Sequence, residues 1–263
     1  MNEVNQKKLL VMALFAGEIM LKNGAETYRV EDTIIRICKS RNFPFVEAYV
    51  TPTGIFISVD QEGEDINEMI TYVKRIQGRS INLNKVAEVN AFSRRFVEGD
   101  LSVEEGMTQL KDIDQLAPYS LLMQALFGGI ASAFATLLFG GNYLDFSAAL
   151  LTSIILTFSI KRIASNGFNL FLTNMTGGFI AAFLSILFSY AHPNIHVDTV
   201  IIGAIMVMVP GVAITNAVRD SISGDLVSGL ARGAEALLIA TSIAFGVGFV
   251  LKTWIYITGG RLY

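Results

Sequence analysis

Lys111-Asp-Ile-Asp-Gln-Leu-Ala-Pro118 is the stretch at which the character of the chain changes. It carries charge, ends in a helix-breaking proline, and opens onto apolar runs. From Met1 to Pro118 fourteen Lys or Arg stand against eighteen Asp or Glu, whereas from Tyr119 onward there are six against five. The chain therefore reads as an α+β domain over residues 1–117 that water can solvate, followed by an all-α membrane domain over 118–263. With 52% hydrophobic and only 16% charged residues, and a mean hydropathy of +0.50, a single water-soluble globule is excluded. The net charge of −3 removes the electrostatic drive for nucleic-acid binding. One cysteine, Cys38, and two histidines, His192 and His196, give no internal disulfide and no cysteine-based zinc cluster. No motif calls for a metal or any other cofactor.

Spanning about 30 Å of hydrocarbon takes roughly 20 apolar residues in helix. Five segments come near that length: Ser120–Gly140, Tyr143–Ile160, Gly167–Tyr190, Val200–Ala217 and Leu226–Tyr256. Lys161 and Arg162 lie between the second and third, and Arg219 between the fourth and fifth. The other two connections hold no Lys or Arg, so the positive-inside bias puts the N-terminus in the cytoplasm and the C-terminus outside. Tyr143, Tyr190, Trp254 and Tyr256 then fall at the outer interface, while Lys252 and Arg261 run against the bias. Lys7-Lys8 followed by Leu9–Ala16 imitates a signal peptide. The helical period through Leu9, Met12, Ala13, Ala16, Ile19 and Met20, interrupted by Glu18, fits an amphipathic packing helix better.

In the first domain, helices are expected at Asn5–Leu21, Glu26–Ser40, Asn82–Val97 and Ser102–Asp112, with Asn23-Gly24 as a helix stop and Ser102 with Glu105 as a capping box. Phe45–Thr51 and Gly54–Asp60, divided by Pro52-Thr53, read as a hairpin, and Met69–Ile76 as a third strand. No phosphate loop, HExxH or nucleophile elbow occurs, so an ATP-driven or metallo-hydrolytic reading has no motif behind it. Glu26, Arg29, Glu31 and Asp32 share one stretch of helix. They form either solvated salt bridges at helical spacing or a binding and gating surface.

Polar groups within the apolar segments need a partner or a use, because a charge at a helix centre in lipid costs about 2.5–3.5 kcal/mol. Asn174-Met-Thr176-Gly177-Gly178 places an amide, a hydroxyl and two bare backbone positions together, suited to helix packing or to solute contact. Pro210-Gly211 interrupts the fourth segment, which frees backbone groups and directs the positive end of a half-helix at an anion such as a carboxylate. Beyond it come Asn216, Arg219, Asp220, Asp225, Arg232 and Glu235. Arg232 and Glu235, three apart, can neutralise each other. Alternatively, Arg232 receives a solute carboxylate while Asp220, Asp225 or Glu235, with Arg219 beside them, take part in proton exchange and gating.

Several strings of this sequence resemble the threonine/serine exporter family. They are Gly24-Ala-Glu-Thr-Tyr-Arg-Val-Glu-Asp-Thr33, Thr51-Pro-Thr-Gly-Ile-Phe56, Val89-Asn-Ala-Phe-Ser-Arg-Arg95, Val209-Pro-Gly-Val-Ala-Ile-Thr-Asn-Ala-Val-Arg-Asp220, and Ser223-Gly-Asp-Leu-Val-Ser-Gly-Leu-Ala-Arg-Gly-Ala-Glu235. The resemblance covers nearly the whole chain and implies export of small amino acids by a secondary transporter of the cytoplasmic membrane. Full-length members are similar to this chain followed by a second membrane segment. Split systems instead use a separate small membrane subunit, and one such pair is associated with succinate. The resemblance thus implies a hetero-oligomer with a second multi-span subunit and leaves threonine, serine or a dicarboxylate as solute. Two other readings compete: a membrane-anchored enzyme or regulatory module with a hydrolase-like soluble domain, and a passive channel.

Overall fold

The computed structural model describes residues 3–41, 43, 45–61, 68–99 and 101–259. The expected exterior position of the C-terminus concerns residues 260–263, Arg261 among them, which lie outside the described residues. The chain folds into two compact units: Met1–Pro118 with Val212–Ala234, and Tyr119–Gly211 with Glu235–Tyr263.

The first unit begins with α1 (Glu3–Lys22) and α2 (Thr27–Lys39), separated by a turn at Gly24 whose φ of 97° favours glycine. Three antiparallel strands follow, β1 (Val46–Thr51), β2 (Gly54–Gln61) and β3 (Glu68–Arg75), in that spatial order. The expected hairpin is present, with Val46 opposite Val59 and Thr51 opposite Gly54. α3 (Leu83–Glu98) and α4 (Val103–Asp114) complete the N-terminal segment, and the Ser102/Glu105 capping box forms in both directions. Apolar positions of α1 and α2, including Leu9, Met12, Ile19, Val30, Ile34 and Ile37, are buried together with Val50, Ile55 and Ile57 of the sheet and Phe92 and Phe96 of α3. Cys38 lies in this core, where burial pushes its thiol up to about 12. Glu18 is largely buried on α1. Burial alone would raise its carboxyl, but Lys22 and Lys74 at 2.7 and 2.9 Å outweigh burial and hold it below the usual range. The same unit takes in α9 (Gly211–Ile222) from Val212 onward and the opening turns of α10 (Leu226–Thr258).

The second unit contains α5 (Leu121–Leu138), α6 (Tyr143–Ser165), α7 (Leu170–Ala191), α8 (Val197–Ile205) with a 3-10 turn at Met206–Met208, and α10 from Glu235. Among the described residues four helices are long and apolar enough to cross a membrane, and a fifth span results if the bent pair of α8 and α9 is counted as one. Those two helices meet at 63°. The cause is local: Val209 precedes proline and is pushed out of the helical region, to φ −59° and ψ 127°. α10 has 33 residues, a length of about 50 Å, roughly 20 Å more than the hydrocarbon layer. Its first turns, with Arg232, can therefore stand beyond the apolar layer, so retention of that arginine does not require full membrane depth.

Within the second unit, Asp145 is fully buried at the start of α6. Its carboxylate accepts the amides of Asn142 and His196 at 2.9 and 2.7 Å and lies 2.9 Å from His196 Nδ1. This ties the start of α6 to the start of α8. The hydrogen bond and charge of Asp145 raise the His196 ring above its usual value. A raised imidazole contributes stability that is complete below its unfolded pKa of about 6.5 and is lost as pH rises through the folded value. Melting of the purified protein should therefore show a shallow decline above pH 6.5 that His196→Gln removes. An identical decline in the variant would assign the slope elsewhere.

Candidate functional site

α2 begins without help from its own N-cap. Glu26 occupies that position, yet its side chain makes no cap hydrogen bond. The first amide of the helix, Thr27 N, instead donates to Asp220 Oδ1 of α9 at 3.2 Å. A carboxylate from another part of the sequence thus lies against the positive end of α2.

The remaining polar groups of the turn are met the same way. Asn216 Nδ2 donates to Gly24 O at 2.9 Å and Arg232 Nη2 to Ala25 O at 2.7 Å. Arg219 pairs with Glu26 Oε1, while Arg29 Nη1 lies 3.1 Å from Glu26 Oε2. Thr27 Oγ1 donates to Asp225 Oδ2 at a long 3.4 Å. Asn216, Asp220, Arg232, Glu26 and Thr27 are all buried. Arg232 Nε stands 3.1 Å from Asp220 Oδ2, an ion pair whose angles do not meet hydrogen-bond geometry. Burial favours the neutral Glu26 carboxyl, but its own backbone amide, Arg219 and Arg29 prevail and hold it below the ordinary carboxylate range. Glu26 and Arg29 do form the expected pair three residues apart, but Glu26 is buried rather than solvated.

Glu31 Oε1 accepts the Val50 amide of β1 at 2.7 Å, and Ser228 Oγ of α10 donates to the carbonyl of that same Val50 at 3.4 Å. Burial raises the Glu31 carboxyl; the Val50 amide opposes this, and Asp225 and Asp220 push it further up. Asp32 is an exposed partner of Arg36 and takes no part. Close packing of α9 on α10 is enforced at Gly229, where a Cβ would lie 2.1 Å from Ser221 Oγ and 2.9 Å from Ala217 O.

The structure thus gathers Glu26, Arg29, Glu31, Asn216, Arg219, Asp220, Asp225 and Arg232 in one unit. Thr27, Val50, Ser228 and the carbonyls of Gly24 and Ala25 join them. Thr27 and Gly24 lie inside the Gly24–Thr33 string, but a backbone acceptor leaves no residue-type signal by which to find it.

Asn174, Thr176, Gly177, Pro210, Gly211 and Glu235 belong to the second unit. Asn174 Nδ2 and Thr176 Oγ1 donate back to their own helix, to Leu170 O and Leu172 O at 2.8 and 2.7 Å. Gly177 faces Met208, and a Cβ on it would lie 2.3 Å from the Met208 methyl; one on Gly178 would lie 2.3 Å from Ile243 O. These glycines are positions of close helix packing. Among the described residues no cluster of His, Cys, Asp and Glu is arranged to hold a metal ion.

The chain has recognisable relatives among known proteins. Residues 11–254 match the family described as "Putative threonine/serine exporter". The "Probable threonine/serine exporter" of Mycobacterium tuberculosis is 22% identical over 253 residues, covering 95% of this chain and 47% of that protein. The "Threonine/serine exporter" of Corynebacterium glutamicum is 25% identical, covering 92% and 50%. The chain thus spans about half the length of these two relatives. The "Probable succinate transporter subunit YjjP" of Escherichia coli is 23% identical over 97% of this chain and 98% of its own length. No solved structure matches.

Proposed function

Because the chain belongs to the threonine/serine exporter family, we propose that it is one subunit of a secondary transporter that exports a small carboxylate-bearing metabolite across the cytoplasmic membrane. The solute is threonine or serine, or a dicarboxylate such as succinate. Export is coupled to protons, and a second multi-span subunit completes the transporter. Residues 1–117 form a cytoplasmic module and 118–263 the membrane module, with the N-terminus inside and the C-terminus outside. The chain performs no covalent chemistry.

One observation carries the reading: buried polar side chains from the Val209–Asp220 and Ser223–Glu235 strings converge on the turn that opens α2. A mere anchor has no use for an amide, two guanidiniums and two carboxylates so arranged. Asn216 and Arg232 hold backbone carbonyls, and a solute carboxylate gains these donors when the turn withdraws. Asp220 and Asp225 take part in gating, and Arg219 gates with them through Glu26. In the second unit, the break at Pro210 and Gly211 and the polar face at Asn174, Thr176 and Gly177 are the further candidates for solute contact, and Glu235 for proton exchange.

The test is transport of labelled threonine, serine and succinate by cells expressing the chain with its companion subunit. Movement of one of them, abolished when the proton gradient is collapsed, is the expected result. Unaltered efflux after collapse favours a passive channel, and no movement of any of the three refutes the proposed solute class.

A further inference from the structure

Among the described residues this cluster holds three guanidiniums, of Arg29, Arg219 and Arg232, which pair with Glu26 and Asp220, and two further carboxylates, of Glu31 and Asp225. Fully ionised, this group carries one negative charge too many in a partly buried place. Three of the four have a compensating positive field. Glu26 has Arg219 and Arg29; Asp220 has Arg232 and the first amide of α2; Asp225 immediately precedes α10 and sits at its positive end. Glu31 lies in the second turn of α2, and its described bond goes to one neutral amide, that of Val50.

The charged groups acting on Glu31 from the elements around it are the carboxylates of Asp220 and Asp225; β1 offers it the Val50 amide, and the Glu18 carboxylate of α1 is taken up by Lys22 and Lys74. We propose that Glu31 carries the coupling proton, and that its ionisation state sets how firmly α9 and the start of α10 grip the α1–α2 turn. This deepens the transporter reading and rests on it for the word coupling; the grip itself does not depend on that reading. The step is a simple protonation: a proton from water binds the Glu31 carboxylate, cancels the excess charge and removes its repulsion of Asp220 and Asp225. Loss of the proton restores the repulsion and loosens the contacts of Thr27 with Asp220 and Asp225 and of Ser228 with Val50. Burial and the two aspartates raise the Glu31 carboxyl, so the tight grip is complete below its unfolded value of about 4.5 and is lost as pH rises through the folded value.

Hydrogen exchange at the Thr27 and Val50 amides of the full-length protein, corrected for intrinsic pH dependence, reads the grip directly. Protection should fall by up to about tenfold per pH unit across the transition, the ceiling for one proton. Glu31→Gln keeps an oxygen for the Val50 amide and mimics the protonated form, so its protection should stay high and flat. Asp225→Asn, which leaves Glu31 in place, should move the wild-type transition to lower pH. A Glu31→Gln protein that follows the wild-type profile, or an Asp225→Asn transition that stays in place or moves upward, overturns the proposal. Solute movement is scored separately. Glu31→Gln should still pass labelled solute down its own gradient but no longer respond to an imposed pH gradient, and a full response to that gradient equally overturns it. Absence of solute movement in the wild type would reject the transporter reading while the exchange result still decides the grip.

Discussion

Arg232→Ala is expected to weaken the unit formed by residues 1–118 and 212–234 by about 3–5 kcal/mol, the cost of breaking a buried ion pair by removing one partner. The side chains of Arg232 and Asp220 are 6% and 0% exposed. Without the guanidinium, Asp220 retains the Thr27 amide but loses its cation, and Ala25 O loses a 2.7 Å donor. Arg232→Lys should recover only part of this, because a single ammonium cannot reach Asp220 and Ala25 O with the same fork. Limited proteolysis at the α1–α2 turn together with thermal unfolding measures the effect. An Arg232→Ala protein as resistant and as stable as wild type would mean that Asp220 and Ala25 O do not depend on the guanidinium, contrary to the buried contacts they make with it.

The second large effect lies in the other unit. A Cβ on Gly246 would stand 1.9 Å from Met175 O and 2.7 Å from Phe179 N, both backbone atoms, so Gly246→Ala forces α7 and α10 apart. Overpacking of this kind costs typically about 1–3 kcal/mol, and the rigid backbone partners put this site at the upper end. Gly248 is the matched control. It lies two residues away on the same helix, and a Cβ there meets nothing within 4 Å. Gly246→Ala should therefore lower folded yield and melting temperature while Gly248→Ala leaves both unchanged. Equal behaviour of the two variants would contradict the packing.

The architecture was legible because its signals are local. The charge drop after Pro118 divides the apolar helices from the N-terminal α+β segment, Pro52-Thr53 marks the hairpin, and Pro210 marks the break between α8 and α9. Arg232 was legible as an unusual cation in a long apolar segment, but its partners were not. Glu235 is three positions from it, within the reach of helical periodicity, whereas Asp220 and Ala25 stand 12 and 207 positions away. Helical periodicity carries no information at such separations. The delegation of the α2 cap from Glu26 to Asp220 was hidden for the same reason, since capping rules look only to residues adjoining the helix. Backbone acceptors such as Gly24 O are invisible in any sequence. Both the Gly24–Thr33 and the Val209–Asp220 strings carry the family resemblance, and the fold brings them into contact.

On the proposed function, the grip on the α1–α2 turn works in solute export and does more than hold the fold together. Arg219 separates the two roles, because its side chain is 56% exposed and an exposed ion pair adds at most about 1 kcal/mol to stability. Efflux of the transported carboxylate by cells expressing Arg219→Ala, compared with wild type at equal folded protein, is the direct measurement. A fall of about tenfold or more, equivalent to about 1.4 kcal/mol in the transport barrier, is predicted. Efflux equal to wild type would show that the contact between α9 and the turn is structural alone.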